Sequence, residues 1–183
     1  MGEEVPLHPE LGPLGELLGT WEGQGAGDYP TIEPFRYGER VTFGHVGKPF
    51  LSYQQRTWDA ETGAPLHAEC GYLRALGRAV PVEADASRPA EVQATPALVA
   101  APIRVELVLA HPTGVAEVEE GELADGVLQL ASTSIGLTSS AKPVRSLRRE
   151  FRLEGDELTY DLWMAHAETP ETHHLHAALN RVG

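Results

Sequence analysis

The feature that most constrains this chain is a period-two alternation of apolar and polar residues, in short segments, from Gly19 almost to the end. Side chains alternate faces along an extended strand, so such a segment offers one face to a core and the other to water. The segments are Thr20–Gly25, Phe35–Val46, Phe50–Thr57, Leu66–Leu73, Ile103–His111, Val115–Gly121, Val127–Ser132, Val144–Arg152, Glu157–Met164 and His173–Arg181. Turn residues separate them: Gly47-Lys48-Pro49, Glu61-Thr62-Gly63, His111-Pro112-Thr113-Gly114, Ala124-Asp125-Gly126 and Glu154-Gly155-Asp156. Connections this short join antiparallel neighbours. The expected fold is all-β, an antiparallel up-and-down barrel of about ten strands, whose closure removes both sheet edges.

Two stretches depart from this rhythm. Leu11, Leu14, Leu17 and Leu18 recur at helical spacing in PELGPLGELLG, and glycines at 12, 15 and 19 limit it to a short helix or 3₁₀ turn. Residues 77–102 are rich in Ala, Pro and Val and carry no strand pattern, so they are expected to form an exposed loop insertion. No repeat or domain boundary is evident, and residues 1–183, 42% hydrophobic, are expected to form a single domain.

Charge excludes several partner classes. The formal net charge is -13, with only Lys48 and Lys142 as lysines, which disfavours nucleic acid and anionic membrane surfaces. No apolar run approaches the roughly 20 residues of a membrane span. The opening MGEEVPLHPELGP has neither a basic nor an apolar signal region, and Pro6 stands where a myristoylation signal would need Ser or Thr. Cys70 is the only cysteine and cannot close an internal disulfide. It is expected to be a small buried hydrophobe. These features fit a cytoplasmic protein.

Alternation assigns faces. Ile103, Val105, Leu107, Leu109 and His111 share one, as do Leu158, Tyr160, Leu162 and Met164, so His111 and Met164 end apolar stripes. A barrel of this width is not filled by side chains, and its interior is a candidate ligand cavity, apolar with a few polar points. His67 is not placed, because its own face carries Glu69, Gly71 and Leu73 and the opposite one Leu66, Ala68, Cys70 and Tyr72. The segment THHLHAALNR sets His173, His174 and His176 within four positions, and imidazole is the commonest side-chain metal ligand. Simple alternation puts His173, not His174, on the face of Leu175, Ala177 and Leu179.

Several motifs occur in order along the chain. The first is GxWxGxG, with Gly19, Trp21, Gly23 and Gly25, running on through Tyr29-Pro30-Thr31-Ile32 and Pro34-Phe35. Then come His45-Val46-Gly47-Lys48-Pro49-Phe50-Leu51 and Pro65-Leu66-His67-Ala68-Glu69, VELVLAHPTG over Val105–Gly114, Ala141-Lys142, Gly155-Asp156-Glu157-Leu158, and His174-Leu175-x-Ala177-x-Leu179. The set resembles the nitrobindin family, haem-binding β-barrels described as peroxynitrite isomerases, over nearly all the chain outside residues 77–102.

That resemblance implies a ten-stranded barrel of the calycin type, the architecture of lipocalins and fatty-acid-binding proteins, holding one haem b near one mouth. It implies His174 as proximal iron ligand, Thr31 and Lys142 in contact with the haem, and Leu66, His67, His111 and Met164 lining the pocket. It further implies that ferric haem isomerises peroxynitrite to nitrate without external reductant and that nitric oxide binds too; the oligomeric state is open, with a homodimer as an expectation only. A bulge at the start of the last strand would turn His174 inward. No catalytic side chain beyond the iron is expected. Trp21 reads as a plug at the barrel bottom, Gly23 and Gly25 as points of strand curvature, and His8, His45 and His166 as structural histidines. Two other classes fit the residues: an iron-free carrier of an apolar molecule, and a zinc site built on His174-x-His176, for which no third ligand is evident.

Overall fold

The computed structural model describes residues 5–78 and 101–182. The expected insertion at 77–102 falls outside them except at its ends, and Gly77 and Arg78 belong to a strand.

A 3₁₀ segment, Pro9–Leu17, leads into ten strands: β1 Gly19–Tyr29, β2 Ile32–Gly44, β3 Phe50–Asp59, β4 Pro65–Arg78, β5 Ile103–Ala110, β6 Val115–Ala124, β7 Val127–Leu137, β8 Val144–Glu154, β9 Glu157–His166 and β10 Thr169–Arg181. Each pairs antiparallel with its sequence neighbours, and β1 pairs with β10 from Trp21↔Arg181 to Gly27↔Leu175, closing the barrel. All ten expected strands are present, most of them longer than the alternation alone marks. β10 starts at Thr169 rather than His173 because Ala167 takes the left-handed turn conformation (φ 49°) that no glycine announces.

The two ends differ. At one, Leu11, Leu14 and Leu17 bury themselves against the core beside Trp21. The Trp21 indole N–H donates to the Leu17 carbonyl at 2.8 Å, and the Arg181 guanidinium lies 4.0 Å over the ring. Trp21 is thus the plug its position suggests. At the other end the wall opens. The β7–β8 ladder runs only from Val127↔Arg152 to Ala131↔Arg148, although β7 continues along β6 to Leu137 and β8 along β9 to Val144. Past that point the Leu147 N–H donates to the Ser132 hydroxyl at 3.0 Å instead.

Cys70 corrects its expectation: it is exposed, because His67, Glu69 and Leu73 take the inner face of β4. The Gly23 role is also sharper than curvature. A Cβ there would collide with the β10 backbone at Ala178 and Leu179, whereas one at Gly25 would strike the Tyr37 ring. Gly23 therefore sets how closely β10 docks. Gly23→Ala is expected to lower the unfolding free energy by about 2 kcal/mol or more. Gly136→Ala, whose new Cβ meets nothing nearer than 3.8 Å, should stay within about 1 kcal/mol of the native chain. Urea unfolding midpoints of the two variants check this.

Candidate functional site

The open half of the barrel encloses a cavity of about 410 Å³. Its walls are apolar: Phe35 from β2, Val144, Leu147 and Phe151 from β8, Leu162 from β9 and Leu175 from β10. Leu66, His67, His111, Met164 and His174 all line it. The structure thus brings together five of the seven positions that the resemblance assigns to the cofactor.

His174 enters the wall through a register shift. The β10–β9 pairing jumps from His173↔Trp163 to Leu175↔Leu162, leaving His174 as the extra residue of a bulge. This corrects the simple alternation that favoured His173. The His174 Nδ1–H donates to the Asp28 carbonyl at 3.2 Å, leaving Nε2 as the nitrogen with a lone pair. The ring meets Tyr29 edge-on at 5.2 Å between centroids and Phe35 at 6.5 Å. Burial lowers its pKa, with the Asp28 carbonyl opposing, so the neutral ligand form prevails near neutral pH. His173 Nε2 and His176 Nδ1 instead meet Asp161 Oδ1 outside, at 2.7 and 3.0 Å.

Thr31 and Lys142 do not line the cavity. Both are exposed on connections at its open end, Thr31 in the β1–β2 turn and Lys142 just before β8. His8 caps the 3₁₀ segment by accepting from the Glu10 N–H at 3.3 Å, His45 accepts from Gly47 N–H at 3.4 Å, and His166 packs edge-on to Tyr29.

The polar part of the lining, expected as a few points, is a connected group: Gln55, Glu69, Glu117 and Arg149 line the cavity, and Glu39 and Glu119 pair with them. Glu39, Gln55, Glu69, Glu117, Glu119 and Arg149 are all buried inside the barrel. Arg149 Nη1 donates to Glu117 Oε2 at 2.6 Å and to Glu119, and Nη2 lies 3.5 Å from Glu69 Oε2. Glu39 accepts from Gln55 Nε2 at 2.6 Å and from the Tyr160 hydroxyl at 2.9 Å. The Tyr53 hydroxyl donates to Glu69 Oε1 at 2.8 Å. The signal was present in the sequence. Glu39 is in phase with Tyr37, Val41 and Phe43, Glu117 with Val115, and Arg149 with Leu147 and Phe151.

Comparison with known proteins agrees with this architecture. A family profile described as the THAP4-like, heme-binding beta-barrel domain matches residues 10–181. Peroxynitrite isomerase 2 of Mycobacterium marinum is 49% identical over 179 residues, covering 96% of each chain. Peroxynitrite isomerase of Nocardia farcinica is 48% identical over 181 residues, covering 97% of this chain and 94% of the relative. The crystal structure of Rv2717c from M. tuberculosis superimposes with a TM-score of 0.78 at 43% identity, over 97% of this chain and all of that one.

The buried acids divide by environment. Burial lifts Glu39 to about 7, against the hydrogen bonds from Gln55 and Tyr160. Burial also raises Glu119, which stays above the ordinary range despite Arg149. Burial pushes Glu69 and Glu117 the same way, but Arg149 and the neighbouring histidines hold both below it. For Glu39 the folded state favours the proton, so its stabilising effect is complete below its ordinary value of 4.5 and lost as pH rises through about 7. Glu39→Gln keeps a neutral isostere and removes that dependence. Relative to the variant, the native chain is expected to lose on the order of 3 kcal/mol between about pH 5 and pH 8. Urea midpoints of both chains at the two pH values measure it, and a difference that does not change with pH would place the Glu39 titration at its ordinary value.

Proposed function

The chain belongs to the THAP4-like, heme-binding beta-barrel domain family, and on that premise we propose that it is a haem b protein that isomerises peroxynitrite to nitrate. The observation that carries the reading is His174, a neutral imidazole placed by a bulge in the wall of an apolar cavity, with one nitrogen tied to a backbone carbonyl. A carbonyl on Nδ1 fixes tautomer and ring orientation, as the outer partners of metal-bound histidines do. The relatives that carry the name peroxynitrite isomerase lend the substrate.

One haem b bound there would supply the iron chemistry for peroxynitrite. The chain's own contribution is binding, orientation and exclusion of water. His174 would hold the iron. Phe35, Val144, Leu147, Leu162, Met164 and Leu175 give a flat apolar ligand its surface. Lys142 and Thr31, exposed at the open end, would serve as ammonium and hydroxyl donors to the haem propionates. Peroxynitrite and nitrate are isomers, so the reaction needs no reductant. Among the described residues no helix is long and apolar enough to cross a membrane. An exposed free thiol at Cys70 suits a reducing cytoplasm.

Haem titration of the purified chain should give a Soret band at one equivalent. His174→Ala is expected to weaken haem binding at least about tenfold and to lower nitrate yield from added peroxynitrite to background, while His173→Ala retains both. Full haem affinity in His174→Ala would reassign the iron ligand. A chain without a Soret band would instead be a carrier of apolar molecules.

A further inference from the structure

His67, Glu69 and His111 converge at one point of the cavity surface, and their donor atoms all lie within 4.8 Å of one another. We propose that these three residues form a second, non-haem site for a divalent transition metal ion of the zinc class, with its open position facing the cavity. The site shares the cavity with the proposed haem, and the inference does not rest on His174.

Separation of the donors comes first. His67 Nε2 is 3.1 Å from His111 Nδ1, His111 Nδ1 is 3.3 Å from Glu69 Oε2, and His67 Nε2 is 3.8 Å from the same oxygen. Metal bonds of about 2.0–2.2 Å to nitrogen and oxygen put neighbouring donors roughly 3.0–3.5 Å apart. The three edges therefore need only small side-chain adjustments to accept an ion. Without one, two imidazole nitrogens and a carboxylate oxygen crowd together, and a single proton can satisfy only one contact at a time. A cation serves all three lone pairs.

The atoms facing away from the cluster also meet polar groups. His111 Nε2 is buried 2.8 Å from Glu117 Oε1 without hydrogen-bond geometry, so the carboxylate faces this edge of the ring by proximity and Nδ1 is the nitrogen at the cluster. Tyr53 donates to Glu69 Oε1 at 2.8 Å, leaving Oε2 for the ion. Such carboxylate and hydroxyl partners behind the ligands are characteristic of built metal sites. His67 and Glu69 are two residues apart on the inner face of β4, and His111 follows β5 directly past the Cys70↔Ala110 pair, so two adjacent strands supply the set.

Charge points the same way. Glu69, Glu117 and Glu119 surround one guanidinium, Arg149, whose Nη2 reaches Glu69 Oε2 only at 3.5 Å. Glu69 and Glu117 together carry one negative charge more than the Arg149 guanidinium, and a cation offsets it. Three protein ligands leave a coordination position for water or a small anion, the pattern of catalytic rather than structural zinc. His67, with 35% of its side chain exposed, sits where an ion would enter.

The test uses the full chain, haem-free and haem-loaded. Calorimetric titration with Zn²⁺ should give one equivalent bound, and Co²⁺ added to the haem-free chain should develop the visible d–d bands of nitrogen and oxygen coordination. His67→Ala and His111→Asn are each expected to weaken Zn²⁺ binding at least about tenfold, with His174→Ala and His176→Ala unchanged. Retained β-sheet dichroism in His67→Ala separates loss of metal from loss of fold. Absence of stoichiometric binding overturns the proposal, as does unchanged affinity in both ligand variants. Loss of binding in His176→Ala alone moves the metal to the outer His173–Asp161–His176 group and also overturns it. A chain that binds Zn²⁺ but no haem keeps this inference and overturns the haem reading; the converse result does the reverse.

Discussion

A guanidinium cannot lie unpaired inside a barrel, and Arg149 is only 2% exposed. Removing such an ion from water costs several kcal/mol, which only close, well-hydrogen-bonded anions offset. Glu117 and Glu119 on β6 and Glu69 on β4 provide them, so three strands are committed to one point of the interior. The consequences spread outward. Glu69 is positioned by Tyr53, Glu117 abuts His111, and a second group, Glu39 with Gln55, Tyr160 and Tyr37, fills the neighbouring volume. The residues that line the cavity beside the apolar walls are thus fixed by charge pairing rather than by packing alone.

The histidine-rich segment shows how the outer surface complements this. Asp161 binds both His173 and His176 from outside, and those contacts hold its own carboxyl below the ordinary range against its partial burial. With two imidazoles retained by one carboxylate, a bulged residue between them is left to turn the other way. His174 does so, and the Asp28 carbonyl, Tyr29 and Phe35 receive it. One backbone irregularity thereby sorts three neighbouring histidines into a surface pair and a cavity residue.

The ten strands and their order were legible because alternation and turn chemistry are local properties, written residue by residue. The 3₁₀ lead-in and the inward stripes ending at His111 and Met164 were legible for the same reason. Bulges are not local in this sense. Nothing in THHLHAALNR alone says where the register slips, since the slip is decided by partners on β9 and β1. The charged cavity surface was misread differently. Glu39, Glu117 and Arg149 each stand in phase with apolar neighbours, but a single charged residue in such a stripe looks like an interruption until its counter-ion on another strand is known. Alternation alone left the faces of β4 unassigned, and Cys70 is exposed because Glu69 and Leu73 take the inner one.

The fold itself does not require this network. Buried ion pairs replaced by apolar side chains of similar volume commonly leave a protein as stable, or more stable by about 1–4 kcal/mol. The closed half of this barrel shows the alternative, with Leu11, Leu14, Leu17 and Trp21 packed dry against the core. In the open half, four buried glutamates, a buried arginine and two histidines occupy positions that leucine or phenylalanine could fill. Departures from the simplest stable solution concentrate where a protein binds or reacts. A dry core would also close the cavity. Polar groups held in place by one another line one part of the cavity and apolar side chains another, with His67 and His111 beside the polar group and His174 beside Phe35 and Leu175.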